Sequence, residues 1–113
     1  MNQELEWLDE LESRWTDIYK KSVTTLLLLR VVKDRGTVTT TQIGEELERR
    51  SGWRISERAL YRTLQRLASS GFLRVTTSPV PRSGLQRNEF AITDFGQKYL
   101  ARIESVYART KLS

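Results

Sequence analysis

Apolar residues along this 113-residue chain change their spacing repeatedly, and each change marks a new element. Leu5, Leu8, Leu11, Trp15 and Ile18 recur every three or four residues with acids between them, which predicts a helix over residues 3–20. Lys20, Lys21 and Ser22 interrupt that pattern. From 23 to 33 apolar residues crowd every face (Leu26 to Leu29, Val31, Val32), as in a helix at the centre of a small core, and Gly36 is its expected stop. Thr39 with Gln42 three positions on fits a capping box, so the next helix should run to Arg50 and end at Gly52. Gly44 inside it costs about 1 kcal/mol relative to alanine. Close approach of a neighbouring helix is the expected compensation.

Ser56 opens a further helix, residues 56–70, in which Leu60, Leu64 and Leu67 form the buried stripe. At about 100° per residue, Arg58, Arg62, Gln65, Arg66 and Ser69 fall on the opposite face. After Gly71 the period becomes alternating, and Phe72–Thr77 and Asn88–Ile92 read as two strands. The stretch from Pro79 to Arg87 is their hairpin tip, since its prolines rule out a central strand. Thr93 and Asp94 cap a last helix, 94–110, with Phe95, Tyr99, Leu100, Ile103, Val106 and Tyr107 on its apolar side. The predicted fold class is mainly α with a small β-hairpin (α+β). It is a winged helix-turn-helix spanning 22–93 with extra N- and C-terminal helices, and one domain over 1–113.

Charge sharpens this picture. The chain carries nineteen basic and fourteen acidic residues, a net of +5, but unevenly. Residues 1–20 hold six acids against Arg14 and Lys20, whereas the span Arg49–Arg87 holds nine arginines against Glu57 alone. Guanidinium groups fork two acceptors at once, which suits phosphates and guanine edges, so the basic third points to a polyanion. With no cysteine and no histidine, thiol and imidazole catalysis, Cys/His metal sites and disulfides are excluded. No nucleophile elbow, phosphate loop or carboxylate cluster is visible, and no enzyme, cofactor or metal is expected. The longest apolar run is four leucines, far short of the ~18 residues of a membrane span. No secretion signal is visible, and a cytoplasmic, nucleoid-associated protein is expected.

A helix fits the major groove of duplex DNA, and a hairpin reaches a flanking groove or the backbone. The expected contacts are Arg58, Arg62, Gln65, Arg66 and Ser69 from the helix and Arg82, Ser83, Gln86 and Arg87 from the wing. Thr40 and Thr41 would add contacts from the start of the preceding helix. Winged helices also serve in protein assembly or RNA binding. The basic face weighs against the first, and aromatics at core spacings weigh against the second. Trp53 is expected as a core plug under the recognition helix, and Tyr61 as a packing residue.

The residues from Ser51-Gly52-Trp53 through Ala59-Leu60-Tyr61-Arg62-Thr63-Leu64-Gln65-Arg66-Leu67 to Gly71-Phe72-Leu73 resemble the PadR-like family of bacterial transcription regulators. Glu89-Phe90-Ala91-Ile92-Thr93-Asp94-Phe95-Gly96 matches the end of that family's wing. The resemblance covers roughly residues 22–100, with Arg62 where the family usually has proline. It implies a dimeric regulator, most often a repressor, on an inverted repeat. The single C-terminal helix, in place of a larger helical domain, argues against a small-molecule effector. The short build with a leading helix is similar to a clock-modifying cyanobacterial branch of the family. Apart from the resemblance, two end helices carry more large apolar residues than one winged-helix core can cover. Leu5, Trp7, Leu8, Leu11, Trp15, Ile18, Leu100, Ile103 and Tyr107 are therefore expected at a homodimer interface.

Overall fold

The computed structural model describes residues 2–112. Helix α1 runs unbroken over Gln3–Arg35, where two helices were expected. Lys20, Lys21 and Ser22 interrupt the apolar pattern but not the backbone, because lysine and serine fit a helix and neither glycine nor proline stands there. The interruption marks where α1 passes from an exposed N-terminal half into the core. Its second half buries Leu26, Leu28, Leu29, Val31 and Val32, because α2, α4 and the sheet all pack on it.

Gly36, at φ +84°, stops α1. A short strand that the pattern did not predict follows, β1 (Thr37–Thr39). Helix α2 (Thr40–Ser51) then starts from the expected capping box: the Thr39 hydroxyl accepts from the Gln42 amide, and the Gln42 side chain accepts from the Thr39 amide. Gly52 closes α2 in the left-handed conformation. At Gly44 a Cβ would lie 3.3 Å from Leu60 Cδ2, so the neighbouring helix does approach closely. That neighbour is α3 (Glu57–Ser69), capped by Ser56 and buried through Leu60, Leu64 and Leu67.

Strands β2 (Leu73–Pro79) and β3 (Gln86–Ile92) form the hairpin. The sheet order is β1-β3-β2, all antiparallel, with Val38 opposite Phe90 and Phe90 opposite Val75. Pro79 ends an edge strand, where a missing amide is tolerated. Phe90, in the central strand, is fully buried. Helix α4 (Asp94–Arg109) begins at Thr93, whose hydroxyl accepts from the Gly96 amide and donates to the Gly71 carbonyl. All seven elements border one apolar cluster.

Candidate nucleic-acid interface

Helix α3 owes its position to its leucines. With Leu60, Leu64 and Leu67 locked into the core, the face turned by half a circle carries Arg58, Arg62, Arg66 and Ser69, and all four are exposed. Gln65 is half-buried, further toward the core than its place on the expected outer face. Among the described residues no ion pair engages Arg58, Arg62, Arg66 or Arg82. Their guanidinium donors stay free for an external anion.

Not every arginine of the basic third is free. Arg49 and Arg50 both bond to the Glu46 carboxylate, and Arg50 also reaches Asp34 at 3.1 Å, tying α2 to the end of α1. The two guanidinium hydrogen bonds hold the Glu46 carboxyl well below its usual range, at about 2. These two cations belong to the scaffold.

The wing stands beside α3. A cleft of about 770 Å³ lies between the first turn of α2, the start of α3 and the hairpin, lined by Thr40, Thr41, Arg58, Tyr61, Leu85 and Arg87 among others. Tyr61, expected to pack, is 46% exposed and faces this cleft. Periodicity places it at the border of the leucine stripe and cannot show that the wing leaves its ring open. Gln86 and Arg87, expected in the hairpin tip, are ladder residues paired with Pro79 and Ser78. Arg87 also lies 3.6 Å from Glu89. The true tip is residues 80–85, where Arg82 and Gly84 adopt positive φ. Ser83 closes that turn: its hydroxyl donates to the Val80 carbonyl at 2.9 Å and accepts from the Leu85 amide at 3.1 Å.

Each step of four residues rotates a helical position by about 40°. The arginine row therefore spirals, from Arg58 at the wing cleft to Arg62 and Arg66 on a second groove of about 980 Å³. That groove runs between α1, α3 and α4 and is also lined by Lys20, Lys21 and Arg54. Spacing within one helix gave no signal for these three. Trp53 is half-buried in its wall, edge-on to Tyr19 at 5.7 Å and under the Lys20 ammonium at 5.4 Å. It packs against α1 and is not the core plug its position suggested.

The residues expected at a dimer interface divide. Leu5, Trp7, Leu8, Leu11, Trp15 and Ile18 are exposed on the N-terminal half of α1, and Tyr107 is exposed near the end of α4. Ile103 is half-buried against the core. Leu100, 1% exposed, is filled in by the chain's own core and offers nothing to a mate. Periodicity identifies an apolar face but not which neighbour covers it.

Residues 28–102 match the family described as the transcriptional regulator PadR-like family. The chain belongs to that family. Among solved PadR-like structures, a regulator from Eggerthella lenta is 19% identical, with 92% of this chain and 88% of that one covered and a TM-score of 0.71. A regulator from Bacillus cereus is 20% identical over 79% of this chain and 84% of that one, with a TM-score of 0.67. Bacillus subtilis PadR, solved in complex with operator DNA, is 17% identical; 80% of this chain matches 48% of that one, with a TM-score of 0.65. No curated protein matches the chain. The PadR-like winged-helix fold is thus shown, and no helix among the described residues is long and apolar enough to cross a membrane.

Proposed function

We propose that this PadR-like protein is a sequence-specific regulator of transcription that binds double-stranded DNA as a homodimer, acting as a repressor at an inverted repeat. Helix α3 enters the major groove, where Arg58 and Arg62 fork to guanine edges and Arg66 and Ser69 hold the flanking phosphates. The wing tip, through Arg82, reaches the backbone or minor groove beside it, and the first turn of α2 presents Thr40 and Thr41 to a phosphate. The observation that carries this reading is the row of unpaired arginines on α3 beside an open wing cleft. A helix with its apolar side anchored and its cationic side free is what groove insertion requires. That a relative was solved on operator DNA agrees with it.

The test is selection of bound sequences from a random duplex pool, followed by footprinting. The expected result is an enriched inverted repeat with half-sites about one duplex turn apart, ~34 Å. Equal binding to every sequence, or no binding by the wild type, would remove sequence-specific regulation.

A further inference from the structure

Helix α3 carries one carboxylate, and it stands on the side that faces the wing. Glu57 is the first residue of the helix, is exposed, and lines the wing cleft next to Arg58. Of the residues that line this cleft, Glu57 alone is acidic. Among the described residues no ion pair engages it. Four positions on, Tyr61 lines the same cleft, so this flank of α3 runs beside the arginine row and is chemically unlike it.

An acid in a first turn favours the positive end of the helix dipole. That end is already served here, because the Ser56 hydroxyl accepts from the Ala59 amide at 3.1 Å. Against a polyanion the carboxylate is a liability. It repels phosphates within a screening length, about 8 Å at physiological salt, and so lowers affinity for every duplex unless a base donates to it. An ionised carboxylate can only accept. Major-groove edges offer it donors at two places, cytosine N4 and adenine N6. Adenine sets its N7 acceptor beside that donor, where the second carboxylate oxygen would meet it. Cytosine presents no acceptor of its own on that edge, and the guanine paired with it offers the two acceptors that an arginine forks. Glu57 and Arg58, adjacent at the helix start, together match the donor and acceptor edges of G·C pairs.

We infer that the Glu57 carboxylate accepts a hydrogen bond from the N4 amino group of a cytosine in the major groove, and so fixes one base of the target. This rests on the DNA-binding reading above and adds a specificity-determining residue to it. The first residues of an inserted recognition helix are those that meet base edges, which is where Glu57 stands. The carboxylate acts in two directions: it holds the one base that can donate to it, and it penalises sequences that set guanine O6, guanine N7 or thymine O4 in the same place. Arg58, Arg62 and Arg66 keep their donors for the DNA throughout.

Selection from a random duplex pool, run in parallel on the wild type, Glu57→Ala and Glu57→Gln, tests this, with circular dichroism to check that helix content is kept. The wild type should enrich a site with a fixed cytosine in each half. Glu57→Ala should accept any base at that position and leave the others unchanged. Glu57→Gln should admit adenine there, since an amide forks adenine N6 and N7. Titrations on synthetic duplexes then probe the contact itself. Replacing that cytosine by 2-pyrimidinone, which lacks the amino group, should weaken wild-type binding at least about fivefold beyond its effect on Glu57→Ala. On random duplex Glu57→Ala should bind about twice as tightly, because a repulsive charge is gone. If the wild type enriches a site and both variants keep every base of it, the Glu57 inference fails while sequence-specific binding stands. A loss shared equally by all duplexes, or an analogue effect the same in wild type and Glu57→Ala, overturns it as well and makes Glu57 a support of the helix start. A wild type that enriches nothing overturns both readings.

Discussion

Thr39 stands opposite Glu89 on the β1–β3 ladder and at the same time caps α2 through the Gln42 amide. One residue thereby fixes the start of α2 against the base of the wing, which is how the two walls of the wing cleft keep their separation. Thr39→Ala removes the capping acceptor and is expected to cost about 1 kcal/mol, with Thr39→Ser retaining most of it. Thermal unfolding of the three proteins checks this, and the alanine variant should also bind DNA more weakly.

Arg58 and Arg82 should fail differently. Arg58→Ala, at the wing cleft on α3, is expected to lose about 1–3 kcal/mol for the selected site, roughly 5- to 150-fold, and to relax preference at one position. Arg82→Ala should weaken all sequences alike and reduce the slope of log affinity against log salt by about 1. Titrations at several salt concentrations on target and random duplex separate the two. Equal losses on both duplexes for Arg58→Ala would assign it to phosphate.

Gly96 tolerates no side chain. A Cβ there would lie 2.1 Å from the Phe72 carbonyl oxygen and 2.8 Å from Ile92 Cγ1. That carbonyl cannot withdraw freely, because it accepts from the Thr93 amide at 3.1 Å. Gly96→Ala should destabilise by about 1–3 kcal/mol by forcing α4 away from the turn at Phe72 and from Ile92 at the end of β3, read as a lowered denaturant midpoint.

Acid should loosen the α1–α2 junction. The Glu46 carboxyl is held at about 2 against an ordinary 4.5 by Arg49 and Arg50, so the folded chain binds this proton less readily than the unfolded one. Its contribution is complete above about pH 4.5 and is lost as the pH falls toward 2. Glu46→Gln should lower stability at neutral pH and flatten that acid-side slope, measured as urea midpoints between about pH 2 and 6.

Much of this architecture was legible because helix signals are local. The Thr39–Gln42 box, the Ser56 and Thr93 caps and the leucine stripe of α3 each lie within a few residues of one another. What escaped depends on distant partners. Strand β1 is three residues long and exists by pairing Val38 with Phe90, fifty-two positions away. Trp53 finds Tyr19 and Lys20, and the second groove assembles from three helices. The arginine row of α3 was visible because one helix carries all of it. That Arg49 and Arg50 are spent on Glu46 and Asp34 required the fold.

The unbroken α1 has a mechanical consequence. A helix of 33 residues is a rod of about 50 Å, and this one has no glycine or proline between Gln3 and Arg35 to act as a hinge. Its far end is embedded beneath the sheet, so a tilt imposed on the free end turns the whole body about that anchorage. In a pair of such molecules, the distance between the two arginine-bearing helices would be adjusted by leverage, with no need to melt or refold anything.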